Sequence, residues 1–379
     1  MKNKPLLLLI FLTSLLLTSC FSGRRALHYG DYYTATLTAV SRLRAQPKHQ
    51  KSQQVLLQAY PLAKETALRN IQNILISNNP DKYALIVDKY LALNELADAI
   101  YTCPKALELI PNPTQYFAEL KEANNLAAEE AYRQGMDALK KNTILDARAA
   151  YFHFLNAEKF IRNYKDVHDK IQESLYIGTL KVVVQKPILP EKFQISADFF
   201  YNNLMSKISQ VTSNKFIRFY SFEEANKENL KQPDQFLLLD FADFAVGNIV
   251  ESRKTNEVSR DSVLVGTTTV NGEKQNVFGT VKAQFTLFRR EVISEGVLSV
   301  RIIDGINSRI LEDKKFPGRY VWGNEWATYK GDERALTKEE KRISNSEPIM
   351  PPPQQDLFIA FTKPIFDQTV TYVNYFYSK

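Results

Sequence analysis

Cys20 has the clearest chemical role in this chain, because of the segment that precedes it. Lys2 and Lys4 come before a mostly apolar run at residues 6–17, and Thr18 and Ser19 then lead to the cysteine. A basic segment, a short apolar segment and small residues are the parts of a cleaved export signal, and the run is too short for an ordinary membrane span. We therefore predict that residues 1–19 are a signal peptide and that the thiol of Cys20 stands at its cleavage point.

The sequence Leu17-Thr18-Ser19-Cys20 resembles the lipobox of bacterial lipoproteins. This resemblance implies a thioether-linked diacylglycerol on Cys20, cleavage before that residue and acylation of the new N-terminus. Each buried methylene contributes ~0.8 kcal/mol, so several acyl chains would form a stable membrane anchor. No aspartate lies next to Cys20 and no acidic cluster follows it closely, and the resemblance then implies the outer membrane, with the body in the periplasm. The alternative is an ordinary secretory signal with an incidental cysteine.

Composition excludes several functional classes. The chain has 379 residues, of which 44% are hydrophobic and 24% charged, with a formal net charge of +7. Such a chain can bury ordinary cores in about two domains and is not disordered. The basic excess is too small and too dispersed for a nucleic-acid partner. Arg24, Arg25, Arg42 and Arg44 lie close to the anchor, where they either touch lipid headgroups or form a solvated helix face.

The sequence lacks the common motifs for catalysis and metal binding. It has no phosphate loop, no nucleophile elbow and no dinucleotide fingerprint. The four histidines lack the spacing of metal ligands, and we interpret them as surface or core residues; they are His28, His49, His153 and His168. We therefore predict no metal, no cofactor and no enzymatic activity.

Three other polar residues each have two interpretations. Cys103 is the only cysteine left once Cys20 is acylated, so no internal disulfide is expected. It is either a small buried residue at a helix entry or a reactive thiol. Asp240 and Asp243 interrupt an otherwise apolar strand, where they either act as strand-end acids or face solvent.

A cluster of aromatic residues is the best candidate for a functional surface. Tyr320, Trp322, Trp326 and Tyr329 lie close together in the sequence, and Arg334 follows them. Tryptophan, tyrosine and arginine concentrate binding energy at interfaces, so these residues could form a docking patch for a protein or a glycan. The alternative is an aromatic cluster that packs over the edge of a sheet.

Residues 20–178 are predicted to form a helical domain. Apolar residues recur there with a helical period, and breaks rich in proline or asparagine indicate antiparallel hairpins that stack as a solenoid or bundle. Two stretches resemble tetratricopeptide repeats, and the residues that carry this resemblance are Gly30, Tyr32, Ala35, Pro47, Gly135, Ala147 and Tyr151. Ala131 and Phe154 depart from the repeat pattern, so a generic helical bundle is the alternative.

Residues 179–343 are predicted to form an α/β domain with an antiparallel sheet, which makes the whole chain α+β. Strands are expected at residues 180–185, 216–220, 236–244, 281–287 and 297–303. The charged stretch 251–262 is predicted to be a long loop or the tip of an extended hairpin. Glu295-Gly296 and Asp304-Gly305 are predicted turns. Residues 344–379 are predicted to be a proline-rich linker and a C-terminal helix, which Pro364 would kink or divide.

This order of strands and helices, with its long hairpin and terminal helix, resembles a compact domain of known envelope lipoproteins. Curli-secretion lipoproteins and the lipoprotein activators of penicillin-binding proteins carry such an α/β domain. The resemblance covers residues 178–320 and depends on the element order and on residues 297–311, where a strand with Asp-Gly leads into a second strand. Those families are not enzymes, so the resemblance implies no catalytic residue.

Three functions are compatible with these features. The first is a lipid-anchored scaffold, assembly factor or regulator that binds an envelope protein through the helical hairpins and the α/β domain. The second is a module that binds peptidoglycan or another glycan through Trp322, Trp326 and Tyr329. The third, an envelope hydrolase, has the least support.

Overall fold

A computed structural model describes residues 23–211, 214–270 and 272–378 of the chain. The predicted signal peptide and Cys20 lie outside the described residues. The chain divides into two compact units with the boundary between Gly178 and Thr179, and each is described by itself. The first unit is helical and the second combines helices with a five-stranded sheet, so the predicted α+β fold class is confirmed.

Eight helices are described in the first unit, and several begin at residues that cap them. Asp31 and Thr143 accept hydrogen bonds from backbone N–H groups in the first turns of their helices, which leaves those donors satisfied. The helix bounds are Arg24–His28 (α1), Tyr32–Ala45 (α2), Gln50–Leu75 (α3), Lys82–Tyr101 (α4), Pro104–Leu109 (α5), Phe117–Leu139 (α6), Ile144–Phe160 (α7) and Val167–Gly178 (α8).

The hairpin of α6 and α7 shows how glycine allows two of these helices to pack closely. A Cβ atom added to Gly135 would lie 2.7 Å from the ring of Phe154, which is fully buried. The ring of Tyr132 meets Phe154 edge to face, with centroids 5.5 Å apart. Phe154, the departure from the repeat pattern, therefore fills the space that Gly135 leaves open.

The second unit places two helices against one face of its sheet. The strands follow the order β2-β1-β3-β4-β5, in which β1 is parallel to β2 and β3 and the other pairs are antiparallel. The element bounds are Leu180–Gln185 (β1), Glu191–Val211 (α9), Ile217–Ser221 (β2), Phe222–Lys227 (α10), Gln235–Val270 (β3), Glu273–Asp304 (β4), Ile310–Gly331 (β5), Lys338–Ser344 (α11) and Gln354–Tyr377 (α12).

Helix α12 contributes buried side chains to the main hydrophobic core of the second unit. Phe358, Phe361 and Ile365 are fully buried and pack against β3, β4 and helix α9. The helix is continuous through Pro364, so the prediction that this residue divides it was wrong. Gly318 lies directly under the helix, since a Cβ atom there would be 2.3 Å from the carbonyl oxygen of Phe361.

Two sequence predictions for the sheet need correction. Residues 251–262 do belong to an extended hairpin, the second predicted alternative, but they lie along strand β3 and are neither a loop nor the tip of the hairpin. The predicted turn at residues 295–296 is wrong, because both residues are part of strand β4. Glycine at 296 is explained by the close approach of the neighbouring strand: a Cβ atom there would lie 2.6 Å from the Cβ of Phe244 and 3.0 Å from both the carbonyl oxygen of Asp243 and the ring of Phe361. The predicted turn at Asp304-Gly305 is present, after β4.

Within the described part of the chain, no helix is both long enough and apolar enough to cross a membrane.

Candidate interaction surface on the long hairpin

Strands β3 and β4 form a hairpin that extends beyond the rest of the sheet. They are 36 and 32 residues long and pair along almost their whole length. Strand β5 pairs with β4 only as far as Ala283. Residues 260–270 and 273–281 therefore form a two-stranded segment without a third strand, and we call this segment the ribbon.

A short 3-10 helix, Glu333–Ala335, packs against the end of the ribbon that is nearest to strand β5. The guanidinium of Arg334 donates a hydrogen bond to the carbonyl oxygen of Leu264 at 2.6 Å and pairs with Asp332 at 2.6 Å. The arginine lowers the pKa of the Asp332 carboxyl to about 2. Ala335 packs against Val281 and Ala283. Arg334, a predicted partner-binding residue, therefore stabilises the hairpin itself.

The ribbon exposes apolar side chains on both of its strands. Leu264 and Phe278 are directly opposite each other and are 44% and 61% exposed. Val265 and Val277 are also exposed. Apolar cross-strand pairs of this kind normally lie on the buried face of a sheet, where their contact stabilises the pairing of the strands. In the ribbon they instead form an uncovered apolar surface.

Apart from the Leu264 carbonyl that Arg334 binds, the two edges of the ribbon are also open, because no further strand among the described residues pairs with them. In the described residues, β1 pairs with β3 only at Gln235–Leu238, and β5 ends opposite Ala283. An open edge presents unpaired N–H and C=O groups that can pair with another chain, and natural proteins usually protect such edges. A two-stranded hairpin is also only marginally stable by itself. The ribbon therefore combines an exposed apolar surface with strand edges that no other described strand protects.

The predicted aromatic patch is divided between the two faces of β5. Tyr320, Trp322 and Trp326 are an even number of residues apart and share the face on which α12 packs, because Gly318 also faces that helix. Tyr329 lies on the other face, opposite Phe285, and is 40% exposed. The five predicted residues therefore do not form one site.

Trp326 is part of a stack across the strands. Its ring lies parallel to that of Phe288, with an interplanar angle of 5° and centroids 5.5 Å apart. The guanidinium of Arg290 lies 5.3 Å from the Trp326 ring and donates a hydrogen bond to Glu251 at 2.7 Å. Arg253 lies 5.6 Å from the Phe288 ring. These contacts indicate that Trp326 packs within the sheet.

The remaining predicted residues have simpler positions. Trp322 is half-buried opposite Val292, and Tyr320 packs at the edge of the α12 core. Asp240 and Asp243 are exposed, in agreement with the solvent-facing interpretation. Cys103 is buried, with its sulfur 3.8 Å from the carbonyl oxygen of Val40. In the described residues, no group of three potential metal ligands converges.

The ribbon residues were not among the site residues predicted from the sequence. The stretch before residue 263 is charged on both faces, and it therefore looked like a loop. A signal was nevertheless present in residues 263–270, where β-branched residues dominate and favour a strand.

The helical unit has a groove of about 350 Å³ between α2, α3 and α4. Its lining includes Ala63, Ala67 and Ala92 together with the polar residues Asp31, Asn70 and Lys89. Tyr33 also lines the groove and donates a hydrogen bond to Glu95, and burial together with this carboxylate raises the pKa of Tyr33 to about 12. The groove therefore has both apolar and polar lining residues and is a second potential binding surface.

Comparisons with known proteins give little further information. No protein-family model matches the chain, and no curated protein does. Among solved structures there is a distant similarity to a "putative neuraminyllactose-binding hemagglutinin homolog" from Helicobacter pylori, with 10% identity and a TM-score of 0.24, over 52% of this chain and 84% of that one. A similarity of this size identifies no function for this chain.

Proposed function

We propose that this protein is a lipid-anchored scaffold of the bacterial cell envelope, which acts by binding another envelope protein rather than by catalysis. The resemblance of Leu17-Thr18-Ser19-Cys20 to a lipobox supports the anchor, which would attach the chain to the outer membrane with its body in the periplasm. The ribbon supports the binding role. The helical hairpins of the first unit offer a further surface for such contacts.

The ribbon is the observation that carries this proposal. It combines an exposed cross-strand pair, Leu264 and Phe278, with two open edges. The bond from Arg334 to Leu264 holds its base in one orientation. Burial of apolar surface releases about 25 cal/mol per Å², so a partner that covers the ribbon would gain binding energy there. A strand from that partner could add to either edge.

The alternative, glycan binding through the tryptophans, has less support. A sugar ring binds to an aromatic side chain by covering an open face of its ring. The Trp326 ring already contacts Phe288 and Arg290. Trp322 is only half-exposed, and it pairs across the strands with Val292, whereas Trp326 pairs with Phe288. The two side chains therefore suit packing better than a sugar platform.

The proposal is tested by purification of the acylated protein from detergent-solubilised membranes. We expect an envelope protein to co-purify at fixed stoichiometry with the wild type and to be lost from the Leu264→Ser, Phe278→Ser variant. The matched control is Ile249→Ser, Val250→Ser, which removes two similarly exposed apolar side chains from the three-stranded part of β3. Equal co-purification by both variants would refute the role of the ribbon.

Two further measurements separate the alternatives. Mass spectrometry of the mature N-terminus tests acylation of Cys20, and Cys20→Ser is expected to release the body from the membrane fraction. Sedimentation with peptidoglycan sacculi tests glycan binding. Sedimentation that disappears in a Trp322→Ala, Trp326→Ala variant would favour the glycan-binding alternative over the scaffold.

A further inference from the structure

The helical unit begins very close to the proposed anchor. Gly23 is buried at a φ of 73°, and a Cβ atom there would lie 2.6 Å from the carbonyl oxygen of Ala35. Its own carbonyl oxygen accepts the N–H of Leu27 at 3.0 Å. Gly23 is therefore already a fixed part of the fold, only three residues after Cys20. Three residues span at most about 11 Å, so the anchor proposed above, on which this inference depends, would hold α1 at the membrane surface.

Several basic residues lie near Gly23, where the helical unit begins. Arg24 and Arg25 follow Gly23 directly, and Lys51 lies one helical turn before Val55, whose side chain would be 3.3 Å from a Cβ atom at Gly23. Lys48 precedes the same helix. The four cationic side chains are exposed, and none forms a salt bridge within the part of the chain that the structure describes. We call Arg24, Arg25, Lys48 and Lys51 the basic face.

Few groups compensate for these charges. Asp31 is the only acidic residue between residues 24 and 51, and its side chain caps α2. The first turn of α3, beside Lys48 and Lys51, contains no acidic residue. A helix N-terminus carries partial positive charge, so lysines there are unfavourable unless an anion is close. The surface is therefore complementary to a negatively charged partner.

An exposed aromatic side chain adjoins the basic face. Tyr29 is 72% exposed, and the guanidinium of Arg25 lies 5.8 Å from its ring. Tyrosine is enriched at the headgroup level of membranes, because it has an apolar ring and a polar hydroxyl. A basic surface with an exposed tyrosine, on a helical unit that begins within about 11 Å of the proposed lipidated residue, suits a bilayer better than a protein partner.

We propose that the basic face, with Tyr29, docks the helical unit onto anionic lipid headgroups beside the anchor. Electrostatic attraction to a membrane decays over about 8 Å at physiological ionic strength, which is comparable to the length of the tether. Arg24 and Arg25 would then be within the field of the membrane whenever the anchor is inserted. The docking would orient the helical unit as well as attach it.

The test uses the unacylated mature chain, with Cys20→Ser, so that the lipid anchor does not contribute. Binding is measured by sedimentation with vesicles of phosphatidylcholine mixed with phosphatidylglycerol, and with vesicles of phosphatidylcholine alone. We expect binding to the anionic vesicles only, weakened by salt. Arg24→Gln, Arg25→Gln should lower the partition coefficient about 30-fold, because each basic residue near an anionic surface contributes about 1 kcal/mol. Lys48→Gln, Lys51→Gln should have a similar effect.

The matched control is Arg69→Gln, Lys121→Gln, which removes two exposed basic side chains from α3 and α6 without touching the basic face. Far-UV circular dichroism confirms that each variant is folded. An equal loss of binding in the control would refute docking through this face, as would equal binding to neutral vesicles. Because the chain carries no lipid, a failure of the proposed anchor appears separately, as an unmodified Cys20 in mass spectrometry of the membrane-derived protein.

Discussion

Gly318→Ala is a direct test of how β5 is positioned under helix α12. A Cβ atom at residue 318 would lie 2.3 Å from the carbonyl oxygen of Phe361 and 2.7 Å from the side chain of Ile365. Both residues of the helix are fully buried. An ordinary van der Waals contact with that oxygen would require the strand and the helix to separate by about 1 Å. The substitution therefore forces a movement of the backbone within a close-packed core.

The expected loss of unfolding free energy in Gly318→Ala depends on how far the Phe361 carbonyl can move away. Extra methylene groups in a well-packed core usually cost about 1–3 kcal/mol. We expect Gly318→Ala to lower the free energy of unfolding by about 2–3 kcal/mol, near the upper end, because the obstacle is a backbone carbonyl that cannot rotate away. Gly323→Ala is the matched control on the same strand, since nothing lies within 4 Å of its added Cβ atom. It should be neutral or stabilise the unit by about 0.5 kcal/mol, because alanine loses less backbone entropy than glycine.

Urea unfolding measured by tryptophan fluorescence provides the assay. Trp322 and Trp326 are the two tryptophans of the chain, and both lie in β5, so the signal reports on the second unit. Equal free energies of unfolding for Gly318→Ala and Gly323→Ala would contradict the close contact between Gly318 and helix α12.

Three further predictions concern other contacts. A double-mutant cycle of Phe288→Ala and Trp326→Ala should give a coupling of about 0.5–1.5 kcal/mol in unfolding free energy, and a coupling near zero would contradict the ring stack. Carboxyl NMR should give Asp332 a pKa of about 2 in the folded protein, below its ordinary 3.8. The stabilisation from its pair with Arg334 is then present above pH ~4 and is lost as the pH falls towards 2. Arg334→Gln should raise this pKa towards the ordinary value but not fully to it, because the backbone N–H of residue 334 and the charge of Lys341 still favour the carboxylate. Cys103 should react with a chromogenic disulfide reagent only after denaturation, and rapid reaction in the folded protein would contradict its burial.

The candidate site was only partly predictable. The sequence identified residues 320–334 as unusual but treated their aromatic side chains as one patch. Successive side chains of a strand point to opposite faces of the sheet, so Trp326 and Tyr329 lie on different faces. This follows from the sequence once the segment is recognised as a single strand. The exposed pair Leu264 and Phe278 was missed, because the register that places them opposite each other depends on contacts between strands and not on local pattern.

Local patterns in the sequence determined the helical first part, the mixed second part and the turn at Asp304-Gly305, because helical periodicity and turn chemistry depend on neighbouring residues. Only the tertiary structure decided that residues 251–262 and 295–296 belong to long strands. The first stretch is solvated on both faces, so it lacks the alternation that marks a half-buried strand. Gly296 resembles a turn residue in the sequence, but it is required by the close approach of Asp243 and Phe244 on strand β3, together with the ring of Phe361 from helix α12, and all three are distant in the chain.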